Sequence, residues 1–563
     1  MSSAVRNRVL AIALVLGALG LGAFSLFLAR HRIYQVDEVQ NVYMARTIGM
    51  HRWDDFGTSA PLFLLGPLAW IARRGTTAAG ILEAHRLVFL GVFWLNIALS
   101  AVAAGVKKAD LKGQAVFLVA ATFAPLWDYG FEIRHDNLLL TGILAVWILG
   151  RRAGAIPGTV RAILIGAIPV LLQFTAFKAF LYFVPMCGLL LLFPNPVLGL
   201  SRARAWTLAT LGAASAFLFA WGAHVLTGTW KVYLGGFQAS VGVSHKAASF
   251  SSWPALARLL PQTPLLIGGV AVFAALAARE ALTLRARYVS WTTTFPEALF
   301  LALGLTVLVI NPTPFPYNLI LVVPQAFIAV VAAWPLLEPF ASSLSKTVSR
   351  FAIAGLALAH IGPFLSHTLR HLDYTNARQL KLASTAEAMT DPAHDRVYDG
   401  SGLVVTRDSI GYYLYLHSLT IRNFRNGNYP TVRSMLESRP ASVLLPSYRT
   451  TWLPEPDQLF IRANYIPLSP DFLVLGADLP STGAWRCLKT GRYSVLVTPS
   501  DCADLVRVDG HPAPRQPVTL DNGAHFFTMP VDARVRVVWV GPTLNGPPDL
   551  GPGAMERTFI NFY

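Results

Sequence analysis

The stretch YQVDEVQNVYMAR, residues Tyr34–Arg46, decides how this chain is organised, because it comes just after the first long apolar run, Val9–Ala29. Hydrophobic residues recur at three-to-four-residue steps around the adjacent carboxylates Asp37 and Glu38, which predicts a short amphipathic helix. Two carboxylates at the outer end of a first membrane helix suit acid–base chemistry at a lipid interface. The alternative interpretation is a solvated helix start, where acidic side chains favour the positive end of the helix dipole.

The composition indicates a membrane protein. The 563 residues are 54% apolar and only 13% charged, with a mean hydropathy of +0.49, whereas soluble domains are about 25% charged. The net charge of +16 would suit nucleic acid, but the basic residues flank apolar runs and form no single patch. We therefore expect membrane lipids as partners, with head groups and lipid phosphates as the anionic ligands, and no nucleic acid.

The apolar runs predict a polytopic α-helical membrane protein with about eleven transmembrane helices. They are residues 9–29, 84–106, 113–127, 136–150, 160–176, 179–194, 205–227, 263–279, 295–311, 317–337 and 351–368. Basic residues fall on alternate loops, so the positive-inside rule places the N-terminus in the cytoplasm and everything after residue 370 outside it. The run 60–71 is short for a span and is predicted to be an interfacial helix on the outer side.

This topology collects unusual polar residues on the outer side of the membrane. They are Asp37 with Glu38, the loop Asp128–Asn137, Lys178, His245 with Lys246, and the loop Asn311–Asn318. Charged groups near helix ends in a membrane are costly and usually functional. The alternative is pairing between helices, for example of Arg134 with Glu132 or with Asp37.

Four short motifs carry a family resemblance. They are Asp37-Glu38 after the first helix, Arg134-His135-Asp136 before the fourth, Lys178 within the apolar segment Phe174–Tyr182, and Pro316-Tyr317-Asn318 opening a late helix. In this order and placement they resemble the GT-C glycosyltransferases, in the branch with protein O-mannosyltransferases and the lipid A aminoarabinose transferase. The similarity covers roughly residues 1–370. The family usually has Arg-Pro-Asp and Lys-Gly where this chain has Arg134-His135-Asp136 and Lys178-Ala179, so the sugar is not assigned.

The resemblance implies an inverting hexosyl- or pentosyltransferase at the outer face of the cytoplasmic (inner) membrane of a bacterium. Its donor would be a polyprenyl-phosphate sugar, and its acceptor a glycan, a lipid or a protein. We expect Asp37 to be the base for the acceptor hydroxyl, with Glu38 assisting or positioning it. Lys178 and Arg134 are expected to neutralise the leaving lipid phosphate, and Tyr317 to add a hydrogen bond.

Further residues are predicted to bind substrate. They are His135, Asp136, Tyr182, His245, Lys246 and Asn318. Asp136 is expected to orient Arg134 or to contact the sugar, while His245 and Lys246 are assigned to a substrate loop. The sequence predicts no definite cofactor, because no metal-ligand spacing is found, and it leaves open a divalent cation at Asp37 or Asp136.

The composition changes after residue 370, where the long apolar runs stop. We predict a membrane-embedded GT-C-like domain over 1–370, an extracytoplasmic α/β domain over 371–482 and a small β-sandwich-like module over 483–563. That module is expected either to bind glycan or to pack on the membrane domain. Cys487 and Cys502 lie in it, and we predict that they form a disulfide if the module is outside the cytoplasm.

Two other functions compete with the glycosyltransferase. A polytopic lipid or glycan transporter or flippase should show an internal repeat with broken helices at matched positions, and the sequence has no such repeat. A non-catalytic GT-C scaffold that binds a partner would have the same helices. Only the set of Asp37, Arg134 and Lys178 argues against the scaffold.

Overall fold

The structure, a computed structural model, describes residues 3–49, 62–106, 110–152, 154–192, 197–235, 295–310, 316–343, 345–411 and 418–559, with isolated residues between 237 and 275 and at 416. His245, Lys246 and most of the predicted span 263–279 lie outside the described residues.

The first part of the chain is helical. In chain order the helices are α1 (Ser3–His31), α2 (Val36–Gly49), α3 (Leu62–Arg74), α4 (Ala78–Ala103), α5 (Leu111–Ala121), α6 (Ala124–Tyr129), α7 (His135–Arg151), α8 (Gly158–Gln173), α9 (Ala179–Leu192), α10 (Arg202–Leu226), α11 (Phe295–Ile310), α12 (Leu319–Ser343) and α13 (Lys346–Leu369). Each predicted span within the described residues falls on one of them, except 113–127, which covers two. Among the described helices, three are long and apolar enough to cross a membrane, and five shorter apolar helices accompany them.

The predicted span 113–127 is broken into α5 and α6. Pro125 lies in the first turn of α6 and lacks an N–H to continue the preceding helix. The break is closed locally, because the Trp127 indole Nε1 donates to the Ala121 carbonyl at 2.7 Å and the Thr122 hydroxyl donates to the Leu118 carbonyl at 2.9 Å. The break turns α6 towards the loop that carries Arg134.

Helices α8 and α10 pack closely through small residues. A Cβ added at Gly166 would lie 1.8 Å from the Ala209 carbonyl oxygen, and one at Gly212 would lie 2.1 Å from that of Ile163. Only glycine permits this approach, which is a common way for helices to pack in membranes.

Helix α2 is buried on almost all sides. Val36, Glu38 and Val39 have at most 4% of their surface exposed. α2 and α3 share one hydrophobic core with the strands of the C-terminal region. Tertiary packing therefore covers most of the predicted amphipathic helix. The interpretation as a solvated helix start is wrong for Glu38, which is fully buried, whereas Asp37 keeps 33% of its side chain exposed.

The C-terminal region combines helices with two sheets. The helices are α14 (Ala377–Ala388), α15 (Ser418–Arg425), α16 (Val432–Ser438), α17 (Glu455–Asn464) and α18 (Met555–Thr558); the strands are β1 (Val397–Tyr398), β2 (Val443–Leu444), β3 (Tyr465–Ser469), β4 (Phe472–Leu479), β5 (Gly483–Cys487), β6 (Gly491–Thr498), β7 (Arg507–Val508), β8 (His511–Pro512), β9 (Val518–Leu520), β10 (Gly523–Thr528) and β11 (Arg534–Trp539). One sheet has the order β1-β2-β4-β11-β6-β9 with β3 beside β4, and the other has the order β5-β10-β7-β8. Among the strand pairs in the described part of the chain, β1 and β2 form the parallel one and the others are antiparallel.

The larger sheet spans the predicted boundary at residue 482. β4 pairs with β11 from Gly476 opposite Val538 to Leu479 opposite Val535. The two predicted C-terminal domains therefore share one sheet, while β5, β7, β8 and β10 form a second sheet within residues 483–528.

Cys487 and Cys502 are free thiols in the structure. The buried Cys487 donates to the Lys489 carbonyl at 3.1 Å and lies 3.3 Å from the Tyr493 hydroxyl. Disulfide formation in an oxidising compartment stays a prediction.

The C-terminal region docks on the end of α1 and the starts of α2 and α4. The Gln379 side chain accepts from the Tyr34 N–H at 2.8 Å and donates to the Tyr34 carbonyl at 2.9 Å. Asn376 binds the Arg30 carbonyl, and Glu387 accepts from the Ala78 N–H at 2.7 Å. The C-terminal region thus lies on the same side of the helical region as Asp37.

Candidate active site

Four separate segments meet beside the start of α2. They are the first turn of α2, the α6–α7 loop with the first turn of α7, the α8–α9 loop, and the 3₁₀ turn Pro316–Asn318 before α12. Six predicted residues come together there: Asp37, Arg134, Asp136, Lys178, Tyr317 and Asn318.

Helix α2 fixes the α6–α7 loop by its backbone. The Asn41 side chain donates to the Ile133 carbonyl at 2.8 Å, and Glu38 Oε1 accepts from the Ile133 N–H at 3.3 Å. Asn137 holds the same loop from within by donating to the carbonyls of Tyr129 and Glu132 at 2.9 and 2.8 Å. Because Ile133 is held at both its N–H and its carbonyl, the next residue, Arg134, is placed beside Asp37.

Arg134 connects the two carboxylates of the site. Its Nη1 lies 2.6 Å from Asp37 Oδ2, and its Nε lies 3.2 Å from Asp136 Oδ2. The guanidinium stacks over the Tyr317 ring at 3.8 Å from the centroid, a favourable cation–π geometry. Arg134 and Asp136 are buried, whereas 33% of the Asp37 side chain is exposed. Asp37 is therefore the carboxylate of this cluster that an incoming molecule can reach.

Lys178 is the second cation of the site. Its ammonium group pairs with Asp136 and donates to Asn318 Oδ1 at 2.7 Å, and it lies 5.0 Å from the Tyr317 centroid. Burial lowers the pKa of Lys178, and the Asp136 carboxylate opposes that shift. Lys178 and Arg134 thus flank one carboxylate and one aromatic ring.

Glu38 is turned away from this cluster. It is fully buried and forms an ion pair with Arg86, itself fully buried, with Oε2 2.6 Å from Nη2. Arg86 also donates to the carbonyls of Arg32 and Ile33, and it stacks over the Tyr34 ring. Of the two expected roles for Glu38, this geometry fits positioning and not contact with a substrate.

A second buried pair extends this network. Arg32 lies 3.3 Å from Glu132 Oε1 and also donates to the carbonyls of Trp127 and Asp128, both at 2.9 Å. Burial raises the pKa of Glu132 to about 8, and the neighbouring Glu38 carboxylate adds to the rise while Arg32 opposes it. The network joins α1, α2, α4 and the α6–α7 loop into one support beneath Asp37.

The remaining predicted residues lie at the edge of the cluster or outside the described chain. His135 Nε2 is 3.7 Å from Asp136 Oδ1, and 35% of its side chain is exposed. Tyr182 is buried one helical turn after Lys178, and its hydroxyl has no hydrogen-bond partner among the described residues. His245 and Lys246 are not among the described residues.

The carboxylates differ in how well they suit a divalent cation. Asp136 is buried between Lys178 and Arg134, and two cations already surround it, so it does not fit a metal ion. Asp37 is partly exposed and has one oxygen on Arg134. The Asp37–Asp136 pair therefore offers no built metal site.

An apolar cavity of about 650 Å³ lies next to the Lys178 loop. Its walls come from α8, α9, α10 and residues 230–237, and they include Phe174, Phe180, Trp206, Phe217, Trp230 and Tyr233. Phe180 and Phe217 are about half exposed, at 49% and 46%. The cavity therefore joins the outer surface of the helices to the segment that carries Lys178.

Solved structures of known proteins align with most of the chain. ArnT from Cupriavidus metallidurans bound to undecaprenyl phosphate aligns with a TM-score of 0.51 at 14% identity, over 82% of this chain and 97% of that one. The chain has the same fold as this ArnT structure. The resemblance in the sequence predicted this fold correctly.

Two further structures give weaker alignments. Apo ArnT from the same organism aligns at 15% identity and a TM-score of 0.48, over 84% and 98% of the two chains. The apo oligosaccharyltransferase of Archaeoglobus fulgidus aligns at 11% identity and a TM-score of 0.46, over 81% and 74%. No protein-family model matches the sequence, and no curated protein matches it.

Sequence reasoning missed the residues that support this candidate site. Arg86 stands alone in the predicted span 84–106, and Arg32 stands just before α2. A charged residue within or beside an apolar run was the available signal, because such a residue needs a partner in the protein interior.

Proposed function

We propose that this protein is an inverting glycosyltransferase that moves a sugar from a polyprenyl-phosphate donor to a glycan, lipid or protein acceptor. The observation that carries the proposal is the juxtaposition of a partly exposed carboxylate, Asp37, with two buried cations, Arg134 and Lys178, beside an apolar cavity. An acid–base group, a phosphate-binding pair and a lipid-sized apolar space are what such a transfer requires.

The donor binds at the two cations and in the apolar cavity. Its phosphate would bind between Lys178 and Arg134, because charge-assisted hydrogen bonds to phosphate are the strongest that side chains make. Its prenyl chain would lie in the apolar cavity, where aromatic side chains exclude water. ArnT from Cupriavidus metallidurans is a protein of this fold that binds undecaprenyl phosphate, which supports a polyprenyl phosphate as the carrier.

The acceptor hydroxyl is activated by Asp37. The acceptor hydroxyl oxygen attacks the anomeric carbon, its proton passes to the Asp37 carboxylate, and the bond from that carbon to the phosphate oxygen breaks. The electron pair leaves on the lipid phosphate, where Lys178 and Arg134 stabilise the added charge. A single displacement of this kind inverts the configuration at the anomeric carbon.

The test compares Asp37→Asn with Lys178→Ala in the full-length purified protein. Asp37→Asn keeps the size of the side chain but cannot take the proton, so turnover should fall by about 10²–10⁴-fold while donor binding survives. Lys178→Ala should weaken binding of a non-reactive donor analogue by about 10–100-fold as well as the rate, because the cation meets phosphate before and during reaction.

Turnover is followed as release of lipid phosphate from a panel of polyprenyl-phosphate sugars. Asp504→Asn is the matched control, since Asp504 pairs with Arg515 on the protein surface, and it should keep full activity. If Asp37→Asn loses donor binding while turnover per bound donor is unchanged, Asp37 is a binding residue and Asp136 is the next candidate for the base.

We further propose that the C-terminal region lies outside the cytoplasm. The basic loops support this topology, and the contacts of Gln379 and Glu387 put the region on the Asp37 side. A reporter that is active only in the cytoplasm, fused after Tyr563, should give no signal. Strong activity from that fusion would reverse the topology and move the site to the inner face.

A further inference from the structure

Three metal-ligand side chains converge at the junction between the last membrane helix and the C-terminal region. His367 is in the last turn of α13, His371 is in the 3₁₀ turn Arg370–Asp373, and Asp128 is in α6. Asp128 Oδ1 lies 2.5 Å from His367 Nε2 and 2.7 Å from His371 Nε2. The three candidate ligand atoms lie within 4.8 Å of one another.

This cluster is largely shielded from solvent. Asp128, His371 and His367 have 8%, 10% and 17% of their side chains exposed. Arg32 fixes the Asp128 backbone by donating to its carbonyl, and the preceding Trp127 packs edge-on against Phe364 at 5.4 Å between centroids. Three groups that prefer water are thus held together inside the protein by their supporting contacts.

The residue types and their spacing fit a divalent transition metal. His367 and His371 are four residues apart in sequence, a spacing also found between two histidines of known zinc sites, and both Nε2 atoms point at Asp128 Oδ1. Zinc takes imidazole nitrogen and carboxylate oxygen at about 2.0–2.2 Å, and a tetrahedral site would separate two such ligands by about 3.3 Å. The side chains would move apart by about 0.7 Å from their hydrogen-bonded positions.

We propose that Asp128, His367 and His371 bind one divalent transition-metal ion of the zinc type. The ion ties the end of α13, where the chain enters the C-terminal region, to the segment that leads to Arg134. Two neutral imidazoles and one carboxylate supply three ligands, and water completes the fourth position.

The site is separate from the candidate active site but adjacent to it. Tyr129, the neighbour of Asp128, packs edge-on against Tyr317 at 6.4 Å between centroids, and the Arg134 guanidinium stacks over the Tyr317 ring at 3.8 Å from its centroid. Losing the metal should therefore loosen the support of Arg134 without removing a group that touches the donor.

The experiment uses the full-length protein purified without a histidine tag, stripped with a chelator and titrated with Zn²⁺ alone. We expect one bound zinc per chain by elemental analysis and a melting temperature that rises with the free zinc concentration. His367→Gln, His371→Gln and Asp128→Asn keep hydrogen-bonding groups but lose good ligands. Each should weaken zinc binding by more than the roughly 10–100-fold that loss of an outer-shell partner costs.

His394→Ala is the matched control, because His394 pairs with Asp391 on the surface with 81% of its side chain exposed. It should bind zinc like the parent protein. Binding of no zinc by the parent, or equal binding by the parent and all three site variants, would overturn the proposal. Chelation that leaves the melting temperature unchanged while zinc is fully removed would overturn the structural role of the ion. The conservative variants remain informative if the corresponding alanine variants fail to fold.

Discussion

Two neighbouring carboxylates on α2 each form an ion pair with an arginine, yet their surroundings are opposite. Glu38 and Arg86 are both fully buried, and Arg86 makes two more hydrogen bonds to backbone carbonyls. Asp37 pairs with Arg134 with a third of its side chain exposed, and Arg134 is shared with Asp136. Successive residues of a helix point about 100° apart, so one carboxylate enters the protein interior and the other reaches the cleft.

The difference teaches that burial, and not residue type, separates the supporting pair from the reactive one. A buried charge that loses its partner is strongly destabilising, because no water replaces the lost interaction. A partly exposed carboxylate can exchange an arginine for water or for a substrate at small cost. The Glu38–Arg86 pair is therefore suited to hold α2 in place, and the Asp37–Arg134 pair is suited to open when a phosphate or hydroxyl enters.

The sharpest test of this contrast is Arg86→Ala against Arg134→Ala. Arg86→Ala leaves the Glu38 carboxylate buried without its cation, and the free energy of unfolding should fall by about 3–5 kcal/mol. Arg134→Ala should cost clearly less, because Asp37 can turn to water and the buried Asp136 keeps Lys178 as its cation, but it should remove most turnover. Thermal unfolding in detergent and the lipid-phosphate release assay measure the two effects.

A double replacement provides the control for Arg86→Ala. Glu38→Leu with Arg86→Met removes both charges and fills the space with apolar groups, and it should recover most of the lost stability. Equal destabilisation by Arg86→Ala and Arg134→Ala would contradict the assignment of Glu38–Arg86 as the supporting pair and Asp37–Arg134 as the reactive pair.

The next prediction separates the adjacent carboxylates directly. Glu38→Gln keeps most hydrogen-bonding atoms but removes the charge that faces Arg86, and it should destabilise the protein by about 1–3 kcal/mol. Turnover per folded molecule should stay within a few-fold of the parent, in contrast to Asp37→Asn. The active fraction is counted by donor-analogue binding. A rate loss in Glu38→Gln as large as that in Asp37→Asn would show that Glu38 takes part in the chemistry.

The effect that is smallest per step of the experiment is a pH dependence of the buried network. Burial raises the pKa of Glu132 to about 8, above the unfolded value of about 4.3. The folded protein therefore holds a proton that the unfolded chain releases. Its contribution to stability is fully present below about pH 4 and is lost as the pH rises through about 8, with a slope of at most about 1.4 kcal/mol per pH unit.

Melting temperatures measured across about pH 5 to 8 check this slope. This range lies between the unfolded and the folded pKa of Glu132, where the slope is expected. Glu132→Gln should flatten the profile. Glu437→Gln changes a glutamate paired with Arg433 on the surface and should leave the profile as it is. A parent profile that rises with pH in this window would contradict the assignment.

The helices were predictable because apolar runs and basic loops follow from the cost of placing charge in lipid. The break between α5 and α6 was not predicted, although Pro125 was visible, because the run 113–127 contains no charged residue. The burial of α2 depends on the C-terminal region, which lies more than 300 positions away in sequence, as the contact between Tyr34 and Gln379 at a separation of 345 shows. No local pattern contains that information.

The candidate site was predictable as a set of residues but not as a set of pairs. Asp37, Arg134 and Lys178 stood out as charges at the ends of apolar runs. The partner of Glu38 is 48 positions along the chain, and Asp128 lies 243 positions before His371. No metal-ligand spacing was recognised in the sequence, because the four-residue separation of His367 and His371 indicates a metal site only when Asp128 lies beside them.

The two hydrogen bonds between the Gln379 side chain and the Tyr34 backbone have a consequence for the timing of biogenesis. The two residues are 345 positions apart, and ribosomes add about 5–20 residues per second. Tyr34 is therefore synthesised about 17–70 s before the side chain that binds both of its backbone groups. During that interval α2 lacks the cover that the C-terminal region gives it in the folded protein.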